Sequence, residues 1–178
     1  MAGSPEVAVR PAVAADAAAV ARIHHRGWTE AYRGLVPHAH LEGLSYDACL
    51  ARWQAGIQGA TRMLVADVGS AVVGFVTFGP SADADARAAG EVWDLWVLPE
   101  ERSRGIGAAL LQAGLVELAT SYRAGLVWVL EGNARGRAFY ERHGGVRDGV
   151  SRTQLVAGGT MADVRYLFDL RGVPSAGQ

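Results

Sequence analysis

The sequence predicts an α/β protein of the mixed α+β kind, built on one mixed central sheet with helices on both of its faces. Short apolar runs of strand length alternate along the chain with longer segments in which apolar residues recur at helical spacing. Gly and Pro residues mark the boundaries between these segments. The resulting order, β-α-α-β-β-β-α-β-α-β-β, is that of a sheet covered by helices.

Seven segments are rich in β-branched, aromatic and other apolar residues and are short enough to be strands. Pro11 ends the first of them, Gly69-Ser70 forms a hairpin signal between the second and third, and Pro99 ends the fourth. The fifth is almost wholly apolar, which is typical of a central strand. The predicted strands cover residues 7–10, 63–68, 71–78, 91–98, 126–131, 146–156 and 161–170.

Four segments have helical periodicity together with start or stop signals. Asp16 occupies a favourable first-turn position for the first helix, and Gly144-Gly145 ends the last one. Gly43 and Ser45 interrupt the second. The predicted helices cover residues 17–28, 41–57, 105–120 and 134–142.

Some polar residues could be metal ligands, but none of them completes a known pattern. Asp83 and Asp85 lack a third ligand and a glycine turn, so we expect them to lie in a solvated loop. Adjacent histidines of the first helix cannot share a helix face, and a later pair lacks a third ligand. We therefore expect no metal. The histidines in question are His24, His25, His38 and His40.

Composition and charge are those of an ordinary globular protein. The chain has 178 residues, of which 50% are hydrophobic and 20% charged, and its formal net charge is −1. We expect a single domain over residues 1–178 with an ordered core over about 5–171. Because the chain has no global basic field, nucleic acid and membrane partners are not expected.

Cys49 is the only cysteine, so no disulfide can form within the chain. We expect it to be a small buried residue on an apolar helix face rather than a nucleophile. The N-terminal residues do not form a signal peptide pattern, and no apolar stretch reaches the roughly 20 residues that a membrane helix needs. Together these features predict a cytoplasmic location.

The segment 95–111 carries the strongest functional signal. A strand runs into a short charged loop, and an apolar helix then begins around Gly105 and Gly107. The first N–H groups of a helix lack internal partners and carry partial positive charge, and glycine lets a phosphate approach the backbone closely. Arg102 and Arg104 add full charges that can form paired hydrogen bonds with phosphate oxygens. The segment therefore predicts an anion site.

Two common phosphate-binding motifs do not match this segment. A Walker P-loop requires a lysine, and none follows Gly107; the dinucleotide motif requires a third glycine where Leu110 stands. The alternative to an anion site is that the segment binds no ligand and is only a solvated turn that leads into a helix.

The segment resembles the acetyl-CoA motif of the GNAT acetyltransferases, Arg/Gln-x-x-Gly-x-Gly/Ala, which Arg102, Gly105 and Gly107 match. A second resemblance follows after an intervening strand, where Asn133 precedes a helix that carries Ala138-Phe139-Tyr140. The aromatic residue that usually follows the next glycine turn is absent. With the flanking strands, the resemblance covers nearly the whole chain.

This resemblance implies the GNAT fold: a mixed, mostly antiparallel sheet of six to seven strands with a splay between the fourth and fifth strands. It implies acetyl-CoA as cosubstrate, with the pyrophosphate held by backbone N–H groups and the pantetheine arm paired with the fourth strand. A backbone N–H near Leu95 or Trp96 is expected to meet the oxyanion. The expected cofactor-binding residues are Leu95, Trp96, Val97, Arg102, Ser103, Arg104, Gly105, Ile106, Gly107, Ala108, Asn133, Arg135, Phe139 and Tyr140.

The resemblance also suggests catalytic groups. Tyr140 matches the acid position of the family, and a phenol with a pKa of about 10 stays protonated at neutral pH and can protonate a thiolate. Glu91 and Asp94 are candidate bases. Because they are three residues apart on one strand, we expect them on opposite faces, so at most one would face the substrate. Glu131 is a third candidate.

The acceptor is expected to be the primary amine of a small molecule, such as an amino acid, an amine or an antibiotic-like compound. The alternatives are an N-terminal acetyltransferase of peptides or ribosomal proteins and a CoA-binding module without catalysis. Arg33, Arg152 and Arg165 could bind a carboxylate of the acceptor. A homodimer through the final strands is a further expectation. The expected aromatic walls of the acceptor pocket are Trp28, Tyr32, Trp93 and Tyr166.

Overall fold

The computed structural model describes residues 6–59, 61–83, 85–86 and 89–173. The strands are β1 (Val7–Pro11), β2 (Arg62–Val68), β3 (Ala71–Pro80), β4 (Gly90–Val97), β5 (Ala124–Leu130), β6 (Val146–Val156) and β7 (Gly159–Asp169). The helices are α1 (Ala17–Ala31), α2 (His38–Glu42), α3 (Tyr46–Gln58), α4 (Ile106–Ala119) and α5 (Ala134–Arg142).

The strands form one sheet in the order β1-β2-β3-β4-β5-β7-β6. Neighbouring strands are antiparallel except for β4 and β5, which are parallel. This mixed, mostly antiparallel sheet of seven strands confirms the predicted fold class.

Helices cover both faces of the sheet. The ring of Trp96 in β4 packs on Gly27 of α1, whereas Val76 and Phe78 in β3 pack on Gly114 of α4. Because successive side chains of a strand point to opposite faces, α1 and α4 lie on opposite sides. We call these sides the α1 face and the α4 face.

The predicted elements are confirmed in type and order, with one difference. The predicted helix over 41–57 is two helices, because Gly43 ends α2 and Ser45 begins α3. Ser45 has extended backbone and its hydroxyl accepts a hydrogen bond from the Ala48 N–H at 3.1 Å, which is the geometry of an N-cap. Cys49 of α3 is buried, as expected.

β4 and β5 separate soon after they begin to pair. Their register covers only Gly90–Val92 against 125–127, although both strands continue for several residues. This confirms the predicted splay and leaves a cleft between the two strands. The Leu98 N–H donates to the Val73 carbonyl at 2.9 Å. Since the hydrogen-bonding direction alternates along a strand, the backbone groups of Leu95 and Val97 point into the cleft.

Candidate active site

A cavity of about 1470 Å³ fills the cleft between β4 and β5 and extends to both faces of the sheet. One end lies at the beginning of α4 and along α5, and the other is bounded by α1, α2, β6 and β7. The two ends differ in charge. The first end is lined by the arginines Arg102, Arg135 and Arg142. The second is lined by aromatic rings, by three carboxylates (Glu91, Asp94 and Asp163) and by two arginines (Arg52 and Arg152).

The basic end contains the glycine loop that the sequence singled out. Gly105 is the N-cap of α4 and has a φ of 82°, a left-handed conformation that favours glycine. The Ala109 N–H makes the first bond inside the helix, to the Gly105 carbonyl, so the preceding N–H groups have no helical partner. Gly107 lines the cavity and leaves its backbone uncovered.

Arg102 and Arg135 both line this end of the cavity. The Arg102 Nε donates to the Val97 carbonyl at 3.3 Å, which holds the guanidinium at the cleft. Burial lowers the pKa of Arg102, and the nearby charge of Arg135 lowers it further. Two cations that repel each other in a partly buried site favour an anion between them.

Two predicted cofactor residues do not turn their side chains into the cavity. Arg104 forms an ion pair with Glu101, and the Ile106 side chain is buried in the core. Only their backbone groups can serve the predicted role. The cavity lining includes the remaining predicted cofactor residues, which are Leu95, Trp96, Val97, Arg102, Ser103, Gly105, Gly107, Ala108, Asn133, Arg135, Phe139 and Tyr140.

Helix α5 and its N-cap bring four predicted residues to the cleft: Asn133, Arg135, Phe139 and Tyr140. The Asn133 side chain accepts a hydrogen bond from the Gly136 N–H at 2.9 Å and so begins the helix. Phe139 packs beside Gly107. Tyr140 lines the cavity although it is only 9% exposed. Burial raises the pKa of Tyr140 well above 10, with smaller contributions from Tyr32 and Asp94, so the phenol remains protonated at neutral pH.

Glu91 and Asp94 lie on the same face of the sheet, so the expectation that they point to opposite faces is wrong. Thr77 pairs with Asp94 and Phe78 pairs with Val92, which leaves Trp93 as an extra residue. Such a β-bulge breaks the alternation of side chains. Both carboxylates line the cavity on the α1 face.

The two carboxylates differ in their surroundings. Glu91 is 8% exposed, and its pKa is raised, mainly by burial and also by Asp83. Asp94 accepts a hydrogen bond from the Thr77 hydroxyl at 3.0 Å and lies 3.6 Å from the Arg52 guanidinium. Asp94 therefore has two polar neighbours, whereas at Glu91 burial outweighs a hydrogen bond from Ser81 that acts to lower its pKa.

His24 is a site residue whose role sequence reasoning missed, because only metal binding was considered for it. The ring lines the cavity and is 3% exposed. Its Nδ1 accepts a hydrogen bond from the Trp53 Nε1–H at 3.2 Å, which places the remaining proton on Nε2, 4.0 Å from Asp94. Burial lowers the pKa of His24 to about 4, so the ring is neutral at pH 7.

Aromatic rings form one wall of the cavity on the α1 face. The ring centroids of Trp28 and Tyr32 are 4.6 Å apart, and those of Tyr32 and Trp96 are 5.6 Å apart. Burial raises the pKa of Tyr32 to about 12, so its hydroxyl is neutral. Trp93 lines the cavity too, but it is 43% exposed and lies across Gly79. We call Trp28, Tyr32 and Trp96 the aromatic wall.

Two residues proposed from the sequence lie away from the cavity. Tyr166 is fully buried beneath α5, where its hydroxyl donates to Glu141 at 2.6 Å, so it is not a wall of the pocket. Glu131 is exposed and lies 3.5 Å from Arg147, so it is not placed to act as a base. Tyr166 lies in the strand predicted for it, but its side-chain direction could not be derived without the partner strands. Glu131 was predicted to end the fifth strand, whereas β5 ends one residue earlier, at Leu130.

Strands β6 and β7 add two polar residues that the sequence left unassigned, Gln154 and Asp163, beside Arg152, which the sequence offered as a carboxylate ligand. Asp163 is 7% exposed and accepts hydrogen bonds from the Arg152 Nε at 3.1 Å and from the Gln154 Nε2 at 2.6 Å. All three line the cavity. Their signal in the sequence was the polar residues at alternate positions of adjacent strands, which becomes informative only when the register is known.

The expected solvated loop before β4 is partly tied to the sheet. Asp83 accepts hydrogen bonds from the Trp128 Nε1 at 3.0 Å and from Arg165 at 3.2 Å, and Asp85 pairs with Arg165 at 2.8 Å. Within the described residues, no group of three or more His, Cys, Asp or Glu side chains could hold a metal ion. None of the described helices combines the length and apolar character needed to cross a bilayer.

Comparisons with known proteins agree with this geometry. The family model for the "Acetyltransferase (GNAT) domain" matches residues 59–144. YuaI of Bacillus subtilis (strain 168), named an uncharacterized N-acetyltransferase, is 30% identical over 129 residues, which is 71% of this chain and 73% of YuaI.

Two solved structures share the fold. An N-acetyltransferase from Staphylococcus aureus Mu50 has a TM-score of 0.73 and 19% identity, with 93% of this chain and 99% of that chain covered. The PaiA N-acetyltransferase from Thermoplasma acidophilum, solved in complex with coenzyme A, has a TM-score of 0.70 and 18% identity, with 92% and 99% covered.

Proposed function

This chain belongs to the GNAT superfamily of acetyltransferases, and we propose that it transfers the acetyl group of acetyl-CoA to a primary amine of a small molecule. The observation that carries the proposal is the splayed cleft between β4 and β5, which joins a basic end to an end with three carboxylates, two arginines and aromatic rings. An anionic cosubstrate and an amine acceptor would approach each other through this cleft from opposite sides.

The basic end fits the diphosphate of coenzyme A. Arg102 and Arg135 provide two neighbouring positive charges, and the free N–H groups at the beginning of α4 provide donors beside Gly105 and Gly107. The outward-facing backbone of Leu95 and Val97 would pair with the amide groups of the pantetheine arm. When bound, acetyl-CoA supplies an acetyl group activated as a thioester.

Three groups at the cleft have the chemistry that acetyl transfer requires. The Leu95 N–H would donate to the carbonyl oxygen as negative charge develops on it. Glu91 would accept a proton from the amine. Tyr140 would give its hydroxyl proton to the departing sulfur as the C–S bond breaks and the N–C bond forms. The products are an amide and a free thiol.

A roof over the acceptor end supports a small acceptor rather than a polypeptide. The turn between β6 and β7 lies against α2: Cβ atoms added at Gly158 and Gly159 would lie 3.2 Å from Ala39 and from Pro37, respectively. Beneath this contact Val36, Leu130 and Met161 form a buried apolar cluster. A peptide crossing the site would have to displace this roof, whereas a small amine would not.

The first test is thiol release from acetyl-CoA in the presence of a panel of primary amines, with the variant Tyr140→Phe. We expect Tyr140→Phe to lower kcat by about 10²- to 10⁴-fold because it removes the acid, and to leave the affinity for acetyl-CoA unchanged. Arg102→Gln serves as the complementary variant. It should weaken acetyl-CoA binding, and the difference from wild type should shrink as salt is added.

If the Tyr140→Phe variant has the same kcat as the wild-type protein, Tyr140 is not the acid of the reaction. If the wild-type protein binds acetyl-CoA but releases no thiol with any amine, the alternative of a binding module without catalysis holds.

A further inference from the structure

Of the three arginines that could bind a carboxylate of the acceptor, only Arg152 is available in the cavity. Arg33 is exposed and is not among the lining residues. Arg165 is buried and engaged by Asp83, Asp85 and Asp148. Arg152 lines the acceptor end, and its side chain is 41% exposed.

The Arg152 side chain is held in a fixed orientation. Its Nε donates to Asp163 at 3.1 Å, and its guanidinium carbon lies 4.2 Å from the centre of the Trp128 ring. The bond to Asp163 uses only Nε, which leaves the two terminal amino groups for a ligand. A guanidinium presented in this way can form two parallel hydrogen bonds with a carboxylate. Little side-chain entropy would be lost on binding, because the side chain is already ordered.

Glu91 and Arg152 lie in the same cavity. Both side chains line its acceptor end, and the charge of Arg152 acts to lower the pKa of Glu91. Glu91 is also the group expected to accept a proton from the amine of the acceptor. The acceptor end therefore presents a carboxylate and a guanidinium within one cavity that also contains the aromatic wall.

We propose that the acceptor is an α-amino acid bound as its zwitterion, with its carboxylate on Arg152, its ammonium group on Glu91 and an apolar side chain against the aromatic wall. This rests on the proposed function and deepens it. A polyamine would bring a second ammonium group next to Arg152, which is unfavourable. Acetylation removes the ammonium charge in two proton losses: the nitrogen loses one proton to Glu91 before it attacks, and after bonding to the acetyl carbon it loses a second, which replaces the proton that Tyr140 gives to the sulfur. The carboxylate is unchanged.

The test compares acceptors that differ only in the carboxylate. L-Phenylalanine, L-leucine and L-methionine are each measured against their carboxamides and their decarboxylated amines, at saturating acetyl-CoA. We expect kcat/KM to be about 10- to 100-fold higher for the amino acids, because a charge-assisted pair is lost in the other two series. Putrescine and a dipeptide complete the panel.

The role of Arg152 is then tested with Arg152→Gln, Arg152→Lys and the control Arg147→Gln. Arg147 is an exposed arginine of the same strand that lies outside the cavity, so its variant has the same change in charge. Arg152→Gln should bring the ratio of kcat/KM between each amino acid and its carboxamide close to one, Arg152→Lys should give an intermediate ratio, and Arg147→Gln should preserve the wild-type ratio. Thermal melting checks that each variant is folded.

The possible outcomes distinguish a failure of the zwitterion site from a failure of the proposed acetyltransferase function. A wild-type ratio near one, preferred acetylation of putrescine or the dipeptide, or an unchanged ratio in Arg152→Gln overturns the zwitterion site. In each of these cases acetyl transfer to an amine has still been observed. Absence of thiol release with every acceptor, in a protein that binds acetyl-CoA, overturns the proposed function itself. The comparison between wild-type acceptors does not depend on any variant being folded.

Discussion

Two carboxylates of β4 face the acceptor end, and their surroundings differ enough to assign different tasks. Asp94 is engaged by Thr77 and lies near Arg52 and His24. Glu91 is buried, and burial raises its pKa above the usual 4.5. A carboxylate that is costly to keep ionised accepts a proton more readily than an ordinary one. We therefore assign the role of base to Glu91.

The pH dependence of kcat/KM tests this assignment. The base must be ionised, so activity should fall as the pH drops through the pKa of Glu91, and the acid limb should lie above pH 4.5 because that pKa is raised. Glu91→Gln should lower kcat by about 10²- to 10⁴-fold and abolish the acid limb. The pH profile of Asp94→Asn is the comparison: loss of the limb there, and its persistence in Glu91→Gln, would transfer the role to Asp94.

His24 has a different task at the same scale. Its neutral ring joins Trp53 of α3 to the vicinity of Asp94 of β4, through one hydrogen bond and one contact at 4.0 Å. A buried ring with a lowered pKa carries no charge at neutral pH, so it can border the cavity without repelling a cationic acceptor. We regard it as a positioning residue for the Asp94 side of the site.

At the scale of elements, the distance between α1 and β4 determines the shape of the aromatic wall. Gly27 lets α1 approach the sheet, because a Cβ at this position would lie 2.4 Å from Cε3 of Trp96. Trp96 belongs to the wall together with Trp28 and Tyr32 of α1. Glycine carries a hydrogen atom where alanine would carry a methyl group. The absence of that methyl group at Gly27 therefore lets α1 and β4 come close enough to form the aromatic wall together.

The variants Gly27→Ala and Gly56→Ala test this contact against helix propensity. Both glycines lie inside helices, where alanine should stabilise by about 0.5–1 kcal/mol. At Gly56 of α3 the nearest atom to an added Cβ is 3.5 Å away, so that gain should be observed. At Gly27 overpacking should instead destabilise by about 1–3 kcal/mol and raise KM for the acceptor.

Urea unfolding and steady-state kinetics measure these effects. Equal stabilisation by both substitutions would mean that Trp96 moves freely and that Gly27 does not set the wall. The affinity for acetyl-CoA should be unchanged in both variants, since neither glycine lies at the basic end.

At the scale of the whole molecule, Arg165 of β7 connects the loop before β4 with strand β6. Its guanidinium pairs with Asp83 and Asp85 of the loop before β4 and with Asp148 of β6. The arginine side chain is only 6% exposed. The charge of Asp83 also raises the pKa of Glu91.

Arg165→Met should lower the free energy of unfolding by about 3–5 kcal/mol, because Asp83 and Asp148 would remain as partly buried, uncompensated charges. Arg171→Met is the matched control. Arg171 pairs with Asp169 on the surface, so its loss should cost about 0–1 kcal/mol. Urea unfolding at neutral pH compares the two, and similar losses in both variants would show that the Arg165 cluster behaves as a surface pair.

Two expectations at this scale remain predictions: a single domain over the full chain and a homodimer. Strand β6 is at the edge of the sheet, and its Leu155 is 87% exposed, so the surface proposed for pairing is accessible.

The order of elements and the basic end of the site could be predicted from local sequence. Strand periodicity, Pro99 and the pair Gly105 and Gly107 act within a few residues of one another, so no long-range contact is needed to interpret them. Asn133 and Tyr140 were identified through the resemblance to the GNAT acetyltransferases, and they too lie within a few residues of each other, at the beginning and on one face of the same short helix.

The acceptor end depended on contacts between residues far apart in the chain. The bulge at Trp93 depends on the register with β3, and it decides that Glu91 and Asp94 share a face. The pairing of β6 with β7 decides that Arg152 faces the cavity, and the packing of α5 decides that Tyr166 does not. Side-chain direction in a strand reverses with a shift of one residue, so only the assembled sheet could select among the candidates.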